Sequence, residues 1–144
     1  MKIKEYVDFA TANPVCFLAT SENNQPHVRG MLLFFADESG FYFGTFSPKE
    51  MFKQLQNNPL VEVCFYNNPV ELAHAKTMRI KGEIEFVDDP VLKHRIHTER
   101  KFLDDIAGEN LEAYNEIFRL AAGDIHFWTM MDVMKESHLE HLVF

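Results

Sequence analysis

Between Val15 and Val87 the chain breaks into five strand-like runs separated by short turn clusters, and that rhythm leaves few architectures open. Val15 to Thr20 reads as a buried strand, and Ser21-Glu22-Asn23-Asn24-Gln25 as the turn after it. A second strand is expected from Pro26 to Ala36, a hairpin turn at Asp37-Glu38-Ser39-Gly40, and a third strand from Phe41 to Phe46. Leu60 to Tyr66 is a fourth, and Lys76 to Val87 a long fifth. On the fifth, Met78, Ile80, Ile84 and Phe86 share one face and Arg79, Lys81, Glu83 and Glu85 the other, because side chains alternate along a strand. One side is packed; the other is wet or at an interface.

Helices punctuate this series. Ile3, Tyr6, Val7 and Ala10 repeat at helical spacing, and Asn13-Pro14 ends that opening helix. A second helix is expected from Pro48 to Asn57, stopped by Asn57-Asn58-Pro59. After Asp88-Asp89-Pro90 the pattern predicts a helical insert over 88–122, running from Val91 to Phe102 and from Asn110 to Ala121 with a break near Gly108. Asp124 to Met130 returns to strand character, and Leu139 to Val143 gives a last short strand. The whole reads as a mainly β protein of the α+β class: a six- or seven-stranded antiparallel barrel with peripheral helices.

Composition then narrows the partners. The 144 residues, 47% hydrophobic, suffice for one core, so residues 1–144 are read as a single domain. A net charge of −8 argues against nucleic acid and against anionic membrane surfaces, both of which need basic protein surface. Cys16 and Cys64 lie inside apolar runs with no C-x-x-C spacing, and read as buried free thiols of a reducing compartment. The charged N-terminal stretch Lys2, Lys4, Glu5, Asp8 is no signal-peptide core, and no apolar run reaches the length of a membrane span. A soluble, cytoplasmic protein is expected.

Positive side chains are scarce, so their clustering after the third strand matters. Gly44-Thr45-Phe46-Ser47-Pro48-Lys49-Glu50 runs from a strand through hydroxyls and a lysine into a helix. Ser47 is placed to cap that helix, Pro48 suits its first turn, and Glu50 completes an S-x-x-E capping box. First-turn amides and the local dipole favour an anion, with Lys49 and Lys53 adding charge. An ordinary capped helix is the plainer reading. Arg29, mid-strand on the face of His27, Met31, Leu33 and Phe35, needs an anionic partner. Either a carboxylate or a phosphate held bidentately satisfies it.

The order of these motifs resembles the FMN-binding split-barrel flavoproteins related to pyridoxamine 5'-phosphate oxidase. The run from Arg29 to Phe34, the Gly44-Thr45 pair, Ser47-Pro48-Lys49, Asn57-Asn58-Pro59 and Met78 to Gly82 carry the likeness, which spans about Asn13 to Val87. It implies a split β-barrel and homodimers with cofactor clefts between subunits. Arg29 and Lys49 would grip the FMN phosphate, Thr45 and Ser47 would add hydroxyls, and Lys53 would give outer support. Gly44 closes the strand, while the backbone of Gly30, Met31, Leu32 and Leu33 would line the flavin ring. Trp128 resembles a late tryptophan that reaches the cofactor in the oxidases; a core or interface tryptophan is the alternative.

Two departures shape the functional expectation. The oxidases follow that tryptophan with a glycine pair and an Arg-x-His for the substrate phosphate, whereas Thr129 to His138 holds neither glycine nor arginine. Pro48 also stands where the family commonly has arginine. Vitamin B6 oxidation is therefore not expected. The length, Cys16-Phe-Leu-Ala-Thr and Gln25-Pro-His-Val-Arg resemble the branch of nitroimidazole-resistance reductases. That branch implies a small-molecule, nitroreductase-like oxidoreductase with an external donor, a small acceptor and no catalytic side chain. The phosphate grip does not choose among FMN, FAD and deazaflavin. A non-catalytic flavin- or haem-binding stress or sensor protein is the alternative.

Other signals are weaker. His94 and His97, like His138 and His141, have i, i+3 spacing but no H-E-x-x-H signature, and no metal site is expected. Met130, Met131 and Met134 suit an interface or core, or a wall beside a flavin. The acidic run from Glu99 to Glu116 reads as a solvated face, and no serine has a hydrolase context.

Overall fold

The computed structural model describes residues 2–144, with the side chains of Ala107 and Glu109 outside that description. Ten strands alternate with five α-helices among the described residues. They run α1 (Ile3–Ala12), β1 (Val15–Glu22), β2 (Gln25–Leu32), β3 (Phe35–Asp37), β4 (Gly40–Phe46), α2 (Glu50–Asn57), β5 (Leu60–Tyr66), β6 (Lys76–Glu83) and β7 (Glu85–Val87). After these come α3 (Pro90–Glu99), α4 (Asp104–Ala107), α5 (Leu111–Tyr114), β8 (Asn115–Leu120), β9 (Asp124–Thr129) and β10 (Leu142–Val143). One sheet has the order β10-β9-β6-β5-β1-β2 and the other β3-β4-β8-β7, and every pairing is antiparallel. The fold is mainly β within the α+β class, two sheets arranged as a split barrel.

The strand count exceeds the six or seven expected for three physical reasons. The run Pro26 to Ala36 is two strands, and the chain changes sheets at Leu33-Phe34. The corner is stable because its amides stay bonded: Leu33 N–H donates to Pro14 O at 2.8 Å and Phe34 N–H to Tyr42 O at 2.9 Å. The run Lys76 to Val87 divides likewise at Ile84, whose N–H donates to Pro59 O at 2.9 Å. The third reason lies in the helical insert. Asn115 to Leu120, expected as helix, is β8, paired along its whole length with β4 from Phe41↔Leu120 to Phe46↔Asn115. A partner strand far away in sequence overrides the local preference there.

The core fills the space between the sheets. Leu18, Val63, Phe65, Met78, Ile80 and Ile125 project from the larger sheet and are fully buried, as are Phe41, Phe43, Phe118 and Leu120 from the smaller. Phe43 and Phe118 stack at 5.4 Å, and Tyr6 of α1 stacks on Phe127 at 4.4 Å, which seats α1 on the barrel. Each such burial contributes on the order of 1.5–3 kcal/mol. On β6 the expected apolar face holds for Met78 and Ile80, and for Ile84 at the corner, but Phe86 is 40% exposed, where it meets Phe52 of α2 edge-on at 5.4 Å. Cys16 is buried, Cys64 half-buried, and both are free. Burial, aided by Cys64, pushes the Cys16 thiol up to about 12. No helix among the described residues is long and apolar enough to cross a membrane.

Candidate functional site

α2 starts later than the capping-box reading requires. Ser47 N–H is held by Tyr114 O at 2.8 Å and Lys49 N–H closes a turn onto Phe46 O at 3.0 Å, so Ser47 and Pro48 form a turn ahead of the helix. Lys49 occupies the N-cap position in extended conformation, with no side-chain cap, and the expected Ser47–Glu50 box does not form. Lys49 is instead left exposed at the mouth of a cleft.

That cleft, of about 210 Å³, lies where three segments meet. The end of β2 supplies Gly30, Met31 and Leu32; the end of β4 supplies Gly44, Thr45 and Phe46. The third wall comes from α3 and the segment after it, with Ile96, Arg100, Phe102 and Leu103, and Asn115 opens β8 at the base. Gly44 has a steric reason: a Cβ there would stand 2.7 Å from Ile96 Cδ1 and intrude on this space. Beyond Phe46 and Lys49 a shallower apolar depression continues between Pro48, Ile106 and Tyr114.

The electrostatics of the cleft are one-sided. Among the described residues no carboxylate lines it, although the chain carries 22 acidic residues against 14 basic ones, while Lys49 and Arg100 both do. Arg100 donates from Nη2 to Leu32 O at 3.3 Å and Leu33 O at 2.8 Å, which fixes the end of β2 without neutralising the charge. Burial holds its pKa below the ordinary guanidinium value, opposed by Glu99. Two buried polar atoms on the cleft walls have no hydrogen-bond partner among the described residues: Thr45 Oγ1 and Asn115 Nδ2. Their residues are 3% and 2% exposed, so solvent does not readily satisfy them.

Arg29 stands apart from the cleft-lining residues. Its Nη1 donates to Thr20 Oγ1 at 2.9 Å, His27 O at 3.2 Å and Leu18 O at 3.3 Å, and its Nη2 to Gln54 Oε1 at 2.6 Å. Thr20 Oγ1 in turn donates to the same Gln54 oxygen at 2.6 Å, closing a triangle that ties α2 to β1 and β2. Among the described residues no carboxylate pairs with Arg29, and burial lowers its pKa against a partial offset from Glu50. Of five guanidinium N–H donors, Nε–H and one on Nη2 have no acceptor among the described residues. The salt-bridge alternative for Arg29 is therefore not what the structure shows.

Of the other residues singled out from sequence, Leu33 is buried beside the cleft without lining it. Ser47 lies in the turn ahead of α2. Lys53 faces a separate depression with Glu22, His27 and Glu50. Trp128 is half-buried on β9, opposite Thr77, and does not line the cleft. Arg100 and Asn115 were missed: both fall in the stretch read as a helical insert, where no local pattern marks them. The spaced histidine pairs find separate partners, His94 near Glu112 at 3.9 Å and His97 near Asp104 at 3.2 Å, with His138 beside Ser137.

Two antiparallel sheets split as a barrel, with a cleft where the ends of β2 and β4 meet the start of α2, set the frame for comparison with known folds. The family model described as pyridoxamine 5'-phosphate oxidase matches residues 3–129, and the chain belongs to that family. Solved structures agree on the fold. A NimC/NimA family protein from Clostridium acetobutylicum superimposes with a TM-score of 0.76 at 22% identity, covering 98% of this chain and 91% of that one. General Stress Protein 26 from Bacillus anthracis gives 0.75 at 17%, covering 100% of both chains. An FAD-binding protein from Mesorhizobium loti gives 0.69 at 20%, covering 88% of this chain and 94% of that one. No curated protein matches the sequence significantly.

Proposed function

We propose that the protein binds FMN in this cleft and acts as a small-molecule oxidoreductase of the nitroreductase-like kind, as a cytoplasmic homodimer. The observation that carries the proposal is a cleft whose described lining has two cations, two unpartnered buried polar groups and no carboxylate, in a chain of net charge −8. A dianionic phosphate suits that set, since charge-assisted hydrogen bonds are the strong ones. Lys49, Thr45 and Ser47 hold the phosphate from the β4–α2 turn. Arg29 serves it with the two N–H donors left free behind α2, and Lys53 adds outer charge. Arg100 joins them from the far wall. The backbone from Gly30 to Leu33 runs beside the ring.

The cleft alone is smaller than the roughly 300–1,000 Å³ usual for a ligand of this size. A second copy of the chain then supplies the remaining wall, and Trp128 reaches the cofactor from that copy. When bound, the flavin supplies the electron or hydride transfer, and the protein supplies orientation and access.

The test is a fluorescence titration of the purified protein with FMN, FAD and riboflavin. FMN should bind more tightly than riboflavin, and the gap should close in Lys49→Ala and in Arg29→Ala. Riboflavin binding as tightly as FMN would overturn the phosphate assignment. Flavin retained without consumption of any reduced donor would favour the alternative, a cofactor-binding stress protein that does not turn over.

A further inference from the structure

A second cluster lies on the outer face of the larger sheet, separate from the cleft. Antiparallel register builds it from two successive rungs on that face: Cys64–Arg79–His126 and Glu62–Lys81–Asp124 across β5, β6 and β9. The segment before β10 adds His141, which stacks on His126 with ring centroids 4.2 Å apart and interplanar angle 19°. His141 Nδ1 and Asp124 Oδ1 are 2.6 Å apart. Together Asp124, His126 and His141 each offer a ligand atom, all within 4.8 Å of one another. His126 is only 8% exposed, and its Nδ1 is buried with no hydrogen-bond partner among the described residues.

We propose that Asp124, His126 and His141 form a binding site for a divalent transition-metal ion of the Zn2+ type, held by two imidazoles and one carboxylate. Two nitrogens and one oxygen suit a borderline ion better than Mg2+ or Ca2+, which take oxygen ligands. Tetrahedral bonds of about 2.0–2.2 Å leave a fourth position open to water. The ion takes the place of the proton between His141 and Asp124, and the His141 ring keeps its proton on Nε2.

The neighbouring charges are compatible. Arg79 is engaged by Glu62 at 2.9 Å and Glu136 at 3.6 Å, so its charge is offset beside the site. Lys81 is exposed, with its ammonium free to stay in water. Bound there, the ion staples the chain ahead of β10 onto β9. The weak sequence signal is understandable: His138 and His141 share an i, i+3 spacing, but the partners of His141 come from another strand.

The test is isothermal titration of the full chain, first stripped with chelator, with Zn2+ alone. The wild type should take up one ion saturably and gain in melting temperature. His141→Ala, an exposed position, and Asp124→Asn should each weaken uptake by at least the roughly tenfold that a lost outer-shell partner already costs. His138→Ala and His94→Ala should bind as the wild type does. No saturable uptake by the wild type would overturn the site. So would uptake unchanged in His141→Ala and Asp124→Asn, or lost equally in His138→Ala.

Discussion

The cleft and the outer-face cluster draw on the same larger sheet, yet they treat charge in opposite ways. On the outer face the charges are mutually arranged: Arg79 is matched by Glu62 and Glu136, and Asp124 by His141. In the cleft and behind it, Lys49, Arg100 and Arg29 have no carboxylate partner among the described residues, in a molecule with an acidic excess. A region whose charges answer one another is complete without an anion. A desolvated region holding only cations and orphaned donors gains from one. The difference separates a face whose charges already pair with one another from a cleft whose described charges are all positive.

Substitutions that reverse this contrast should act in a definite order of size. Lys49→Ala combined with Arg100→Ala removes two charge-assisted contacts of about 1.5–3 kcal/mol each, so FMN affinity should fall by roughly 10²–10⁴-fold in a fluorescence titration. Arg79→Ala should leave FMN affinity unchanged, and a comparable loss there would erase the distinction between the regions. Gln54→Ala strips the acceptor shared by Arg29 and Thr20, and urea denaturation should show a loss of about 1–3 kcal/mol from buried donors left unpaired.

Thr45→Val sharpens the comparison through its sign. Without flavin, removing an unsatisfied buried hydroxyl should be neutral or stabilising by about 1 kcal/mol, while FMN binding weakens. Destabilisation of the flavin-free protein would mean that the hydroxyl serves the fold. The smallest effect belongs to Glu62→Gln, where breaking a half-exposed pair with Arg79 should cost under about 1 kcal/mol in the same urea assay.

How much of this was legible beforehand depends on the range of the interactions. The helix boundaries of α1 and the strands β1, β4 and β5 follow from local period and turn chemistry, and they appear within a few residues of where they were expected. The breaks at Leu33-Phe34 and Ile84 carry no local signal, since the strand pattern runs on through both corners. β8 falls within a predicted helix because three apolar residues in six, Ile117, Phe118 and Leu120, do not distinguish the two periods. Of the site, the turn bearing Thr45 and Lys49 stands out by residue type, while the strand end from Gly30 to Leu33 enters only through the family resemblance. Arg100 and Asn115 do neither, because their role comes from α3 folding back against β2 and β8 pairing with β4.

By itself, then, the sequence determined the mainly β character, the hairpin order and the unusual concentration of cations around two strand ends, all matters of local pattern and composition. Only the tertiary structure decided which cations share a cleft, that Arg29 is held behind α2 by Thr20 and Gln54, and that His126 and His141 meet over β9. Those outcomes rest on contacts between residues 9 to 68 positions apart, whose geometry is settled by sheet register and packing and has no trace in the local order of side chains.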